Sequence, residues 1–242
     1  MSHFLRGQSL RPNIWAHRGA SVLEMENTMP AFRKALDCGA DGFELDVRLT
    51  SDLQVVVFHD ESLERQFGKT LLVSELSLEE LREETEATFE IPSLKEVLEE
   101  FGGRCFINVE IKAAGLNPKS LVQETLKVIK RGDCLDSVLV SSFDPKCLAL
   151  SAWLEPNLKR ALLFGAKTTD GFGFLSRLGK AAFSAIHPQS VLVSKKSVKS
   201  WHKRGQAIHT WTVDDPKEII KLSKLGVDSI ITNTPDVALG CF

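Results

Sequence analysis

An α/β chain folded as a single (β/α)8 TIM barrel is expected from three features. Short β-rich runs alternate with helical patterns, eight such runs can be counted, and the length of 242 residues matches the roughly 250 typical of one such barrel. The candidate strands are Ile14–Arg18, Gly42–Val47, Cys105–Lys112, Ser137–Phe143, Arg160–Phe164, Ala185–His187, Ala207–Val213 and Ser229–Thr232, each followed by a helix. No Pro-, Gly- or Ser-rich linker, internal repeat or low-complexity stretch divides them, so residues 1–242 read as one domain.

The connecting segments carry helix punctuation. Thr28 and Pro30 open a helix that runs to Gly39, and Leu121, Val122, Thr125, Val128 and Ile129 form an apolar stripe on another. Ser77-x-x-Glu80 and Ser93-x-x-Glu96 are capping boxes, which imply two short helices. One run, Val55–His59, breaks the alternation: it follows the preceding strand too closely for a parallel crossover, which needs about a dozen residues, and must return antiparallel. If strand two continues through Arg48, Leu49 and Thr50 and turns at Ser51–Asp52–Leu53, symmetric pairing is expected to set Asp46 opposite His59. The hairpin then returns that histidine to the barrel mouth, followed by a small insertion over residues 60–92.

Composition narrows the function classes. The net charge is −2, and Lys and Arg are scattered rather than striped, so nucleic acid is not an expected partner. Met1 to Pro12 is polar without an apolar signal region, and no later stretch approaches the ~18 apolar residues of a membrane span, so a soluble protein is expected. Five cysteines, odd in number, widely spaced and without a CxxC pair, suggest neither a disulfide framework nor a zinc site. That usage fits a reducing compartment, the cytoplasm.

Polar residues that are rare in buried strands gather at C-terminal strand ends, where α/β barrels build active sites: His17 and Arg18 after strand one, Glu44 and Asp46 on strand two, Glu110 and Lys112 on strand three. Residues two apart in a strand point the same way, so Glu44 and Asp46 share a face, as do Glu110 and Lys112. Two carboxylates on one face repel unless something neutralises them. Oxygen donors without a nearby cysteine favour Mg2+ or Ca2+. In isolation a Glu-x-Asp pair is more often a solvated face or a partner for Arg48; its place at a strand end reverses that reading. His17 and His59 both end apolar runs beside polar neighbours, whereas His3, His187, His202 and His209 read as core or surface residues. Asp60 orients the His59 ring only if the chain leaves strand geometry there.

Ala16-His17-Arg18-Gly19-Ala20, Glu26-Asn27-Thr28, Ala31-Phe32, Gly39 to Val47, Val55 to Asp60, Ile91-Pro92-Ser93-Leu94, Val109-Glu110-Ile111-Lys112, Trp211-Thr212-Val213 and Ile231 to Pro235 follow one another along nearly the whole chain. In order and spacing they resemble the glycerophosphodiester phosphodiesterase family. The resemblance implies that His17 and His59 form an acid–base pair, that Glu44, Asp46 and Glu110 ligate a divalent metal, and that Arg18 and Lys112 contact phosphate. It places Trp211 against the glycerol moiety. Glu26 and Asn27 either support the site or cap the following helix. Asn233 stands where many relatives resemble Thr-Asp, which removes a charge there. The insertion is implied to cover the barrel mouth, but Leu63 to Gly68 departs from the family's threonine-rich pattern, and so short a cap suits a small or flexible headgroup.

The implied reaction is hydrolysis of a glycerophosphodiester, a small-molecule substrate, to sn-glycerol 3-phosphate and an alcohol. Which histidine is the acid, and whether water or the substrate's 2-hydroxyl attacks, stay open at this stage. Two alternatives use the same scaffold: a lysophospholipase D-type enzyme, whose mouth calls for a larger apolar patch, and a catalytically silent barrel that binds glycerophosphodiesters. The silent barrel has no use for an acid–base pair.

Overall fold

The computed structural model describes residues 11–85, 88–112, 118–166 and 183–242. Nine strands form one sheet: β1 (Asn13–His17), β2 (Gly42–Leu49), β3 (Val55–Val57), β4 (Phe106–Ile111), β5 (Val138–Ser142), β6 (Lys159–Phe164), β7 (Ala185–Pro188), β8 (Ala207–Thr210) and β9 (Ser229–Thr232). All except β3 pair in parallel, and β1 pairs with both β2 and β9, which closes an eight-stranded barrel. The described helices around it are α1 (Met29–Asp37), α2 (Glu64–Phe67), α3 (Leu78–Thr85), α4 (Leu94–Phe101), α5 (Pro118–Arg131), α6 (Pro145–Leu154), α7 (Lys195–Lys203), α8 (Pro216–Leu225) and α9 (Pro235–Leu239). The helix expected after β6 falls within 167–182, outside the described residues, as does His3.

The two-residue period of the strands separates two interiors. One parity, with Ile14, Ala16, Phe43, Leu45, Val109, Val140, Ile186 and Ile230, joins the apolar layer packed against the helices. The other parity lines the barrel. Its lower part holds Leu139, Ala161, Ala185 and Ala207, and its upper part is polar. Between the two lie Trp15, His187 and His209, all fully buried: the Trp15 and His209 rings are 4.5 Å apart, and His187 Nε2 is 2.9 Å from His209 Nδ1. These rings make a packed floor, and His187 and His209 are the core residues expected.

The helix signals are fulfilled. Thr28 caps α1 by accepting from the Ala31 N–H, and both Ser-x-x-Glu boxes close reciprocally, Ser77 with Glu80 ahead of α3 and Ser93 with Glu96 ahead of α4. On α5 the buried stripe includes Leu126, and Val128 is only half-buried.

Two expectations need correction. The hairpin turns where expected, with the Thr50 N–H donating to Gln54 O, but a turn that pairs those residues sets Phe58, not His59, opposite Asp46. The Phe58 N–H donates to Asp46 O, β3 ends at Val57, and His59 lies beyond the regular ladder. The candidate strand Ala207–Val213 is also shorter than expected: β8 stops at Thr210, and Trp211 makes only an isolated bridge with Gln189.

The insertion between β3 and α4 has its own small core. Val56, Phe58, Leu63, Val73, Leu81 and Ile91 are buried together, apart from the main cluster, with Phe67 and Phe89 packed against them. Among the described residues no helix is long and apolar enough to cross a membrane.

Candidate active site at the barrel mouth

Register brings the polar residues together. Across β1 and β2, His17 pairs with Glu44; across β2 and β4, Asp46 pairs with Glu110. Side chains on paired residues stand on the same face, so a histidine and three carboxylates converge on the mouth. Glu44, Asp46 and Glu110 are each buried, and one oxygen from each lies within 4.8 Å of the others.

A tight exit from β1 supplies the next groups. Arg18 (φ 58°) and Gly19 (φ 81°) are both left-handed, and a Cβ on Gly19 would sit 2.7 Å from Ala31. For Arg18 this conformation costs about 1–2 kcal/mol. The turn aims the Arg18 N–H at Glu44 Oε2 (3.0 Å) and its guanidinium at Asp46 (3.2 Å) and Glu26 (3.1 Å). Asp46 and Glu26 are thus the side-chain partners of Arg18. Asn27 is left-handed too (φ 59°), as its amide tolerates, and exchanges two hydrogen bonds with Asp46, through Nδ2 to Oδ2 (2.9 Å) and from the Asp46 N–H to Oδ1 (3.3 Å). Helix capping falls to Thr28, while Asn27 bonds to Asp46 and Glu26 to Arg18.

Lys112 reaches back from the end of β4 to Glu110 (2.7 Å) and Asp46 (3.2 Å). Burial opposes the charge on Asp46, but Lys112 and Arg18 outweigh it and hold its carboxyl well below the usual range. Glu44 goes the other way: burial, then Asp46 and Glu110, push its carboxyl well above its ordinary value. Burial also raises Glu110 against the pull of Lys112. Glu44 Oε1 is buried with no hydrogen-bond partner. A buried carboxyl oxygen without a donor, beside two further acidic side chains, fits a hard divalent cation by donor type.

Each histidine has one ring nitrogen occupied. His17 Nδ1 lies 2.7 Å from Asn233 Oδ1, and its Nε2 is 4.0 Å from Glu44 Oε2. Although displaced from the register first expected, His59 is held at the mouth by Arg48, whose Nε donates to His59 O (2.9 Å). Its Nδ1 lies 2.6 Å from Asp60 Oδ1, and Asp60 in turn accepts from Arg65. The chain does leave strand geometry there, and Asp60 orients the ring. Burial lowers the pKa of both histidines; Arg18 adds to this at His17, and Lys112 and Arg18 add to it at His59 against the opposing pull of Asp46. Trp211 is half-buried, its Nε1 donating to His187 O (2.7 Å) and its ring edge-on to Phe143 at 5.5 Å.

A profile of the glycerophosphoryl diester phosphodiesterase family matches residues 17–237. The chain belongs to this family. Among its family relatives, a glycerophosphodiester phosphodiesterase of Caldanaerobacter subterraneus is 34% identical, covering 93% of this chain and 96% of its own. One from Bacillus altitudinis is 37% identical over the same shares. The crystal structure of the glycerophosphodiester phosphodiesterase of Thermotoga maritima superposes with a TM-score of 0.82 at 30% identity, covering 96% of this chain and 98% of that one.

Every site residue expected from the sequence within this family pattern lies at the mouth. Two partners escaped that reading. Arg65, in the insertion, bridges Asp60 and Glu26, and nothing local marks it. Asp214, which accepts from Asn233, precedes a helix cap, Asp215, that hides it among capping residues.

Proposed function

We propose that this family member is a metal-dependent phosphoric diester hydrolase that cleaves glycerophosphodiesters to sn-glycerol 3-phosphate and an alcohol. The observation that carries the reading is the convergence of His17 and His59, each with Nε2 left over, on the buried carboxylates Glu44, Asp46 and Glu110. Glu44, Asp46 and Glu110 would hold Mg2+ or Ca2+, which when bound supplies positive charge for a phosphate oxygen and relieves the repulsion among the three. Arg18 and Lys112 flank that position and meet the charge developing on the phosphoryl oxygens. Trp211 and Phe143 offer an apolar wall for the glycerol moiety.

The backing of the two rings supports distinct roles. His59 donates Nδ1–H to a carboxylate, which stabilises its protonated form and suits it to protonating the leaving alkoxide; His17 faces a neutral amide and suits the task of taking a proton from the attacking oxygen. Five free cysteines, with Cys134 and Cys147 buried, accord with a reducing compartment such as the cytoplasm.

A lysophospholipase D-type activity is the second reading. The loop after β1, on the catalytic face, exposes Val22 (65%), Leu23 (46%) and Met25 (44%), an apolar edge that an acyl chain could use. Glycerol 3-phosphate release from a panel of water-soluble diesters and lysolipids, with and without a chelator, tests both. Release from diesters that stops on chelation is expected. Preference for lysolipids establishes the second reading, and no release from any substrate with metal present overturns both.

A further inference from the structure

We infer that Asp214 is a positioning residue: through the Asn233 amide it holds His17 with the proton on Nδ1 and the Nε2 lone pair turned into the site. The kinetic consequence rests on the hydrolysis proposed above; the hydrogen-bond logic does not.

The Asp214 carboxylate is clamped on the end of β9. Its Oδ1 accepts from the Asn233 N–H (2.7 Å) and from Thr232 Oγ1 (2.8 Å), and its Oδ2 accepts from Asn233 Nδ2 (2.7 Å). The backbone that carries it is fixed on both sides. The Val213 N–H donates to Ile231 O (3.0 Å), and Asp215 caps α8 by accepting from the Lys217 N–H. Asp214 lies at the surface, but three donors converging on one carboxylate leave it little freedom.

An ionised carboxylate only accepts hydrogen bonds, so the end of the Asn233 amide beside Asp214 must be the NH2 group. The oxygen then points to His17, 2.7 Å from Nδ1. Ser21 Oγ, 3.1 Å from the same oxygen, has a proton to give and agrees with this orientation. An amide oxygen has no proton to offer, so His17 Nδ1 must carry one. In the neutral ring that leaves the lone pair on Nε2, on the side of Glu44. Without Asp214 the amide is free to turn over and offer NH2 to Nδ1, which moves the proton to Nε2 and removes the base from the site. Two of the three bonds to Asp214 only fix the turn at Thr232 and Asn233; the Oδ2 to Nδ2 bond is the one that selects the tautomer.

Substitution separates those jobs. Asp214→Asn keeps an oxygen for the Asn233 N–H and Thr232 and replaces only Oδ2 with a donor, which now opposes Asn233 Nδ2. Asn233→Asp opposes two carboxylates. The double variant Asp214→Asn/Asn233→Asp restores the side-chain bond between the two with donor and acceptor exchanged and keeps the others as they were: the new amide donates to the new carboxylate, whose other oxygen accepts from His17 Nδ1.

Two measurements test this: kcat and KM on a glycerophosphodiester that the parent hydrolyses, and the 15N spectrum of imidazole-labelled protein above the histidine titration range. Asp214→Asn is expected to lower kcat by about 10²–10⁴-fold with KM little changed, the size of a general-base or wrong-tautomer defect. His17 should shift to the Nε2-protonated form, and the double variant should recover both kcat and the Nδ1-protonated form. If Asp214→Asn keeps the Nδ1-protonated ring, whatever its kcat, or if the double variant gains nothing over the single ones, the positioning role is wrong. A parent inactive on all diesters overturns the hydrolase reading instead, and the tautomer spectra still decide the role of Asp214.

Discussion

Replacing Glu44 with glutamine should stabilise the metal-free protein while weakening its response to metal. Two unit charges no more than 4.8 Å apart repel by about 3.5 kcal/mol at an effective dielectric of about 20, and Glu44 faces two such neighbours, Asp46 and Glu110. Arg18 and Lys112 offset part of this, and protonation caps the rest. From an ordinary value of 4.5, a carboxyl group can take up a proton at pH 7 for about 3.4 kcal/mol. The glutamine variant avoids that cost and keeps an acceptor for the Arg18 N–H, so a gain of about 1–3 kcal/mol is expected in chelator. For a chain of this size that raises Tm by about 2–12 °C. The sign with pH follows from the raised value. The folded parent retains a proton that the unfolded chain gives up above about 4.5, so parent stability falls as pH rises from there toward the folded value, and the advantage of the variant widens. Saturating metal reverses the order, because at a hundredfold excess over Kd it stabilises the parent by about 2.7 kcal/mol and the variant by far less. Thermal melts by circular dichroism in EDTA and in Mg2+ read both effects. A variant that melts below the parent in EDTA at neutral pH would refute the view that these carboxylates strain the empty site.

Further outcomes follow from the same geometry. His17→Ala and His59→Ala should each lower turnover by about 10²–10⁴-fold while metal affinity and Tm hold; a nitrophenyl diester, which needs little leaving-group protonation, should rescue His59→Ala and not His17→Ala, and equal rescue of both would remove the role assignment. Trp211→Ala, which removes the apolar wall beside Phe143, should raise KM more than it lowers kcat; an unchanged KM would assign the ring to packing alone. His187 is buried, and burial followed by neighbouring His209 keeps its value well below 6.5, so the unfolded chain takes a proton that the folded one refuses. Stability should therefore decline as pH falls below about 6.5, by up to about 1.4 kcal/mol per pH unit from this group, and His187→Gln should show a shallower fall in urea midpoint between about pH 7.5 and pH 5.5. Parallel pH profiles for the two proteins would sink that linkage.

The barrel was legible because its strands are short apolar runs at crossover spacing, and the metal-ligand candidates because acidic residues stand out in buried strands. Both signals are local. The place of His59 was misjudged by one position: a turn at Ser51–Asp52–Leu53 pairs Thr50 with Gln54 and so already sets Phe58, not His59, opposite Asp46, as the ladder has it. Arg65 and Asp214 were illegible for a different reason. Each acts by touching a residue far away in sequence, Arg65 on Glu26 and Asp214 on Asn233, and a charged side chain on an exposed loop looks the same in a sequence whether or not it has such a partner.

The short strand β3 is a seam between two cores. Val55 and Val57 face the barrel's helical layer, while Val56 and Phe58 belong to the insertion's own cluster, so successive residues of one strand button the two together. His59 follows directly, tied on the barrel side by the Arg48 bond to its carbonyl and by the Phe58 N–H to Asp46. Everything from Glu61 to Glu90 can therefore be treated as an exchangeable cartridge. Grafting a longer cap from a relative, with apolar residues kept at the positions of Leu63, Val73 and Leu81 and an arginine kept at that of Arg65, should change which alcohols the mouth admits while His17 and His59 stay in place.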